Sequence, residues 1–126
     1  MEPEYSAIVV DHFEHPRNGG RFEAGEGVIK GTAGSVAQGT MFSLSARIAA
    51  NRIEAVRFEA YGCPHCIAAG SWLSERLVGL DRDQLRAWRW RVADQALQFP
   101  LEKRGRLLIL EDAVHALREA WARFIP

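Results

Sequence analysis

The two cysteines of this 126-residue chain lie three positions apart in the segment YGCPHCIAAGSW, residues 61–72. Cys63 and Cys66 follow a stretch with strand-like alternation and precede a stretch with helical periodicity. Unpaired N–H groups and the helix dipole stabilise thiolates at the start of a helix. Two thiols in one helical turn suit either a disulfide or two ligands of one metal ion. His65 lies between them and could lower the pKa of either thiol.

The C-P-H-C sequence leaves three interpretations open. Thiol–disulfide oxidoreductases of the thioredoxin type carry such a sequence, but they need a βαβ unit with further strands after the helix. The chain after Gly79 instead has helical patterns up to its end. A metal site with Cys63, Cys66 and His65 as ligands is therefore favoured over a redox pair, although a tetrahedral site needs further ligands. The third interpretation is two neighbouring thiols without a chemical role.

Strand patterns precede most of the helical patterns along the chain. Residues 41–49 and 52–60 alternate apolar and polar side chains, Ala50-Asn51 suits a tight turn, and residues 28–35 form a weaker third candidate. The spacing of apolar residues and a capping box at Asp81 predict helices. One short helix precedes the strands, at residues 4–14, and the others come after them, at residues 65–79, 81–90, 94–97 and 105–124. This order predicts an α+β fold, a three-stranded antiparallel sheet with one solvated face and with helices packed on one face.

The length and composition of the chain indicate the number of domains and exclude some classes of binding protein. A length of 126 residues predicts a single domain over residues 1–126. Lys plus Arg equals Asp plus Glu at 16 each, so no basic excess indicates binding to nucleic acid or to a membrane surface. The N-terminal stretch lacks the basic region of a secretory signal. Two cysteines without an export signal indicate the reducing cytoplasm.

Three segments of the chain match, in order, the sequence pattern of one known family. The first is YSAIVVDHFEHPRNGG at residues 5–20, which is similar to the N-terminal signature of that family. The second is VRFEAYGC at residues 56–63, which is similar to the strand that leads into the second family cysteine, and Ile67-Ala68 continues the match. The third is EDA at residues 111–113, which is followed by an amphipathic helix, as in the family. The chain therefore resembles the scaffold proteins of iron–sulfur cluster assembly, the IscU type and the N-terminal domain of NifU, and the resemblance implies the IscU-like fold for the whole chain.

The resemblance also implies a cluster site, from which this sequence departs. The family holds its iron–sulfur cluster on three cysteines, with an aspartate and a histidine nearby. Cys63 matches the second cysteine, whereas Gln38 stands at the first and Thr40 at the aspartate. Gly105-Arg106-Leu107 lies where the histidine and the third cysteine are expected, and neither is present. The implied protein is a degenerate scaffold in which Cys66 supplies a second thiol beside Cys63.

The expected ligands and partners follow from this resemblance. The cargo is iron or an iron–sulfur cluster, zinc could replace it in purified protein, and binding of no metal at all is a further alternative. The partners are a cysteine desulfurase or other assembly proteins, or a second copy in a homodimer, and no catalytic turnover is expected. Tyr5, Pro100 and Lys103 are the predicted partner-binding residues. The alternatives are a pseudo-scaffold adaptor without a cluster and a C-x-x-C sulfur-transfer protein.

Overall fold

The computed structural model describes residues 5–124, and it begins with a short helix. Helix α1 spans Ala7–Glu14, and the Ser6 hydroxyl caps it by accepting the Val9 N–H at 3.3 Å. The predicted segment started at residue 4, which lies outside the described residues. The helix ends at Glu14 because the next residue, His15, precedes Pro16, and a residue before a proline is pushed out of the helical conformation.

Three strands form an antiparallel sheet in their sequence order. Strand β1 spans Val28–Ser35, β2 spans Thr40–Ala49 and β3 spans Arg52–Tyr61. Ala50 and Asn51 join β2 to β3 with φ angles of 53° and 62°. Both angles lie in the left-handed region that a two-residue type I′ hairpin turn requires. The predicted sheet and its tight turn are therefore confirmed.

The rest of the chain is helical, as the sequence predicts, with different bounds. Helix α3 begins at the predicted capping box, in which the Asp81 carboxylate accepts the Gln84 N–H and the Gln84 side chain accepts the Asp81 N–H, both at 2.9 Å. Within residues 5–124, none of the helices combines the length and apolar character needed to cross a membrane. The remaining elements are α2 at Pro64–Arg76, α3 at Arg82–Ala87, α4 at Trp90–Leu97, a 3₁₀ helix at Leu101–Lys103 and α5 at Gly105–Phe124.

Helices α2 and α5 pack against the same face of the sheet. Gly31 on β1 pairs with Leu44 on β2, which pairs with Phe58 on β3. A Cβ at Gly31 would lie 2.7 Å from the Leu117 Cα of α5, and the Phe58 ring fills the space beside Gly70 of α2. The predicted packing of helices on one face is confirmed. The buried stripe of α5 comprises Leu107, Leu110, Ala113, Val114, Leu117, Ala120 and Trp121.

The opposite face of the sheet is less solvated than the sequence predicts. Ser43 and Ser45 on β2 are only 9% and 3% exposed, although both lie on the polar side of the alternating pattern. The segment before β1 crosses this face, and the Phe22 N–H donates to the Ser45 hydroxyl at 2.9 Å. The guanidinium groups of Arg47 and Arg57 lie 4.6 and 4.9 Å from the Phe22 ring centre. The sequence predicts that this face of the sheet is solvated, and this prediction is wrong for the centre of the face, which is covered.

Helix α1 buries a different side chain from the one predicted. The sequence spacing predicts that Tyr5, Ile8, Val9 and Phe13 share one apolar face of the helix. Phe13 is nevertheless 41% exposed, whereas His12 is 5% exposed. His12 Nδ1 lies 2.8 Å from the hydroxyl of Ser71 on α2, which also accepts the Arg17 N–H at 2.8 Å. A buried polar group needs such a partner. The hydrogen bond allows the imidazole to take the place predicted for the aromatic ring.

Candidate thiol site at the start of helix α2

The turn from strand β3 into helix α2 carries the two cysteines. Gly62 turns the chain with a φ angle of 148°, in the region that favours glycine. Cys63 is the N-cap of α2, with extended backbone, and Pro64 takes the first helical position, where a missing N–H loses no helical hydrogen bond. Cys66 follows in the third helical position. Both sulfurs therefore belong to the first turn of one helix.

The two thiols are close together but differ in access. The Cys63 and Cys66 sulfurs lie 3.9 Å apart, and both residues are free cysteines. Cys66 is fully buried at 0% exposure, while Cys63 is half-buried. A reagent in solvent therefore contacts the sulfur of Cys63 before that of Cys66.

Neighbouring residues hold the buried sulfur in place. A Cβ on Gly62 would lie only 2.7 Å from the Cys66 Sγ and 3.2 Å from the Gly39 carbonyl oxygen, so a glycine at position 62 leaves room for the sulfur. The hydroxyl of Thr40, the first residue of β2, lies beside the Cys66 thiol and acts to lower its pKa. The turn between β1 and β2 thus lies against the first turn of α2.

The pKa values of the two thiols move in opposite directions. Burial is the largest influence on Cys63 and raises its pKa, but N–H groups of Cys66 and His65, the Cys66 thiol and the Arg106 charge together bring the pKa below the ordinary 9.0. Burial, followed by the negative charge of Cys63, raises the pKa of Cys66 to about 11. Cys63 is therefore the better nucleophile and the better metal ligand, since both roles require a thiolate.

His65 lies beside the thiols, packed between two aromatic rings. Its Nδ1 is 3.9 Å from the Cys63 Sγ, and the side chain is 1% exposed. The Tyr5 ring centre lies 4.7 Å from the imidazole centre, and the Phe99 ring contacts it edge-on at 4.8 Å. The three predicted ligands, Cys63, Cys66 and His65, are therefore neighbours in space, with the imidazole enclosed.

Gln38, Thr40 and Arg106, which stand where the resemblance implies the other family ligands, differ in their relation to the two thiols. Thr40 contacts the Cys66 thiol, and Arg106 at the start of α5 lowers the pKa of the Cys63 thiol through its charge. Arg106 Nε is buried and has no hydrogen-bond partner in the described part of the chain. Gln38 lies exposed in the turn before β2. The fold thus brings Arg106 to the thiols, where it opposes the binding of a metal cation.

The donor set near the thiols is incomplete for a metal ion. Among residues 5–124, no group of three or more His, Cys, Asp or Glu side chains is arranged to hold one. Iron–sulfur clusters are normally bound by four thiolates, and here the pKa of Cys66 is raised to about 11. The residues of one chain therefore do not fit a complete cluster site.

The predicted partner-binding residues lie in segments next to this site. Tyr5 packs on His65, whereas Pro100 precedes the 3₁₀ helix that contains Lys103, and both are partly exposed. Exposed apolar side chains occur in the same region, a common property of protein-binding surfaces. They are Val36 in the turn between β1 and β2, Tyr61 at the end of β3, Leu101 in the 3₁₀ helix and Leu108 near the start of α5.

Sequence reasoning missed two residues that shape the site. Phe99 packs on His65, and Gly62 makes room for the Cys66 sulfur. The glycine directly before the first cysteine was a local signal that could have indicated a close approach. No local signal could identify Phe99, because more than thirty residues separate it from the histidine.

The whole sequence is similar to a family of known proteins. Residues 4–122 match the family described as NifU-like N terminal domain. The chain is 34% identical over 114 residues to the iron-sulfur cluster assembly scaffold protein IscU of Escherichia coli strain K12, with 89% of each chain covered. It is 35% identical over 100 residues to the iron-sulfur cluster assembly scaffold protein IscU 1 of Archaeoglobus fulgidus. That match covers 79% of this chain and 64%, less than two thirds, of the archaeal protein.

The fold also has a solved counterpart. The N-terminal part of a nitrogen-fixing NifU-like protein from Brucella abortus superposes with a TM-score of 0.57 and 16% sequence identity. The superposition covers 95% of this chain and 90% of the other. At this identity the likeness concerns the fold alone, and it agrees with the sheet and helices described above.

Proposed function

Because the chain belongs to the family of NifU-like N-terminal domains, we propose that it is an iron–sulfur cluster assembly scaffold-like protein of degenerate type. The observation that carries this function is the family match over residues 4–122. The proposal that Cys63 corresponds to a family cysteine rests on the resemblance of the segment VRFEAYGC. The cargo is iron or a cluster, which soft thiolates bind well. In this proposal Cys63 and Cys66 are the ligands, with His65 beside them, and residues 1–126 act as one domain.

Completion of the site requires ligands from outside the chain. Two thiols supply half of a four-ligand set, and the Arg106 charge disfavours a bare metal cation. A second copy of the chain or an assembly partner therefore supplies the other half, and zinc can take the same ligands in purified protein. The protein does not have to extract sulfur from a substrate, since a cysteine desulfurase delivers the sulfur. The setting is the reducing cytoplasm, where both thiols stay free.

Anaerobic reconstitution tests this function. The reduced protein is incubated with ferrous iron and sulfide, desalted, and examined by visible absorption together with iron and sulfide analysis. We expect a thiolate-to-iron charge-transfer band that is lost in Cys63→Ser and in Cys66→Ser. The double variant Gln38→Cys/Arg106→Cys restores thiols at two family positions and should bind more iron than the wild type. A wild-type protein that stays colourless while this variant gains colour would exclude cargo binding.

That last outcome would favour a pseudo-scaffold adaptor, for which the position of Arg106 is a specific argument. An adaptor keeps the partner surface without the cluster, and Tyr5, Pro100 and Lys103 would belong to that surface. Binding to a cysteine desulfurase, measured by titration calorimetry, should weaken in Lys103→Glu. Lys30→Glu is a matched control, because Lys30 is an exposed lysine on β1 away from the thiols. Equal loss in both variants would indicate a general charge effect and no specific surface.

A further inference from the structure

Two free thiols at van der Waals distance form a pair that can react internally. The Cys63 and Cys66 sulfurs are 3.9 Å apart, and a disulfide bond requires about 2.05 Å. Both side chains start from the first turn of α2, where rotation of the partly exposed Cys63 side chain can shorten this distance.

The different solvent exposure of Cys63 and Cys66 determines which thiol reacts first with a donor from outside the protein. Cys63 is half-buried, so a sulfur donor held by another protein can approach its sulfur. Cys66 is fully buried and is held by the Thr40 hydroxyl and by the close backbone at Gly62. An external donor therefore loads Cys63, while the reaction partner within reach of Cys66 is the sulfur on Cys63.

We infer that Cys63 and Cys66 together reduce a persulfide sulfur to sulfide. This inference rests on the proposed function for the identity of the donor, a protein-bound cysteine persulfide. In the first step the Cys63 thiolate attacks the outer sulfur of the donor persulfide. The donor thiolate leaves, and Cys63 carries the new persulfide, so no net oxidation has occurred.

The second step releases the sulfide. Cys66 transfers its proton to the departing sulfur, and its own sulfur attacks the Cys63 Sγ. The bond between the Cys63 Sγ and the outer sulfur breaks, hydrogen sulfide leaves, and a Cys63–Cys66 disulfide forms. The outer sulfur gains the two electrons that the two thiols lose. An external dithiol then reduces the disulfide by thiol–disulfide exchange.

The surroundings of the pair suit both steps. The Arg106 guanidinium acts on the Cys63 sulfur through its charge, and the same charge stabilises the negative charge that develops on the outer sulfur as the sulfur–sulfur bond breaks. The arginine that disfavours a metal cation at this place therefore favours anionic sulfur. Cluster assembly consumes sulfide, whereas a persulfide delivers sulfur two electrons more oxidised, so a scaffold with this pair supplies its own reducing step.

The reaction can be tested in the absence of iron, which separates it from cluster binding. Reduced, desalted protein is mixed anaerobically with one equivalent of glutathione persulfide. Released sulfide is measured against a blank without protein, and intact protein is analysed by mass spectrometry after acid quenching. The wild type should release one sulfide per chain and lose two hydrogen atoms in mass. Cys66→Ser should gain one sulfur atom and release no sulfide above the blank, and Cys63→Ser should do neither.

A control variant and the separate cluster-binding assay keep the result interpretable. Cys66→Ala replaces the buried thiol without adding a hydroxyl, and it should stop at the same persulfide if the protein keeps its circular dichroism spectrum. Sulfide release by folded Cys66→Ala at the wild-type rate, or a wild type that stops at the persulfide, would overturn the inference. Cluster binding without sulfide release would leave the scaffold function intact, and sulfide release without cluster binding would leave the thiol chemistry intact.

Discussion

Replacement of Gly31 by alanine would force helix α5 away from the sheet. A Cβ at this position would lie 2.7 Å from the Leu117 Cα and 2.8 Å from the Ala113 carbonyl oxygen, and the Leu117 backbone nitrogen is closer still. These are main-chain atoms that no rotamer change can move. The helix must retreat by more than about 0.7 Å, because that is the shortfall of the Leu117 Cα alone from the 3.4 Å at which ordinary contact begins.

The cost of this retreat can be estimated from core packing. Excess volume in a filled core costs about 1–3 kcal/mol, occasionally more. The clash at Gly31 involves backbone and displaces the buried stripe of a 20-residue helix, so a loss of about 3 kcal/mol is expected. A domain of this class is stable by about 5–15 kcal/mol. With a urea dependence of about 1–3 kcal/mol per molar, the unfolding midpoint should fall by more than about 1 M.

Urea unfolding followed by circular dichroism measures this effect. Gly105→Ala is the matched control, because Gly105 lies in the same helix with open space where a Cβ would be. Its midpoint should stay unchanged or rise slightly, since alanine favours helix over glycine. A Gly31→Ala protein with the wild-type midpoint would show that α5 is not seated on β1 in the way described.

Three further predictions concern pH, thiol reactivity and backbone strain. The free energy of unfolding should fall as the pH drops through 6.5. Burial, followed by the Arg17 charge, keeps the pKa of His12 in the folded protein below this ordinary value. The unfolded chain therefore binds a proton in this range that the folded chain does not bind. Urea unfolding across this range should show a flatter pH dependence in His12→Gln. Iodoacetamide should alkylate Cys63 with a midpoint below pH 9.0, and Arg106→Gln should raise that midpoint by removing the positive charge. Gln98→Gly should raise the unfolding free energy by up to about 1 kcal/mol, since Gln98 closes α4 with a φ angle of 54°.

Each of these predictions has a result that contradicts it. A pH dependence equal in wild type and His12→Gln would show that another group titrates. An alkylation midpoint that Arg106→Gln leaves in place would show that the guanidinium does not act on Cys63. A lower urea midpoint for Gln98→Gly would show that the glutamine side chain stabilises the end of α4 by more than its backbone strain costs.

Local patterns were sufficient for most of the fold. The alternation along β2 and β3, the Ala50-Asn51 turn and the Asp81 capping box each depend on residues that are neighbours in sequence, so the sequence predicts them well. Helix α4 starts at Trp90, four residues before the predicted segment. Its fully buried residues are Ala93 and Leu97, and Trp90 and Ala96 are partly buried against the core, so the apolar face extends further toward the start of the helix than the predicted segment.

Long-range packing explains what the sequence could not predict. The burial of Ser43 and Ser45 depends on Phe22 crossing the sheet, and the burial of His12 depends on a hydroxyl about sixty residues away. The proximity of Cys63 to Cys66 was readable from their spacing. The unequal solvent exposure of the two thiols could not be predicted from the spacing, since it arises from the turn at Gly62 and from contacts with strand β2.

The thiol pair obtains part of its chemical character from residues synthesised long after it. Cys63 and Cys66 leave the ribosome before Phe99 and Arg106 do, and these later residues supply the ring against His65 and the charge near Cys63. A nascent chain that ends before Phe99 therefore lacks both the ring against His65 and the charge of Arg106. The reactivity of Cys63 toward an alkylating probe should change when the C-terminal helix docks, so the site itself reports the completion of folding.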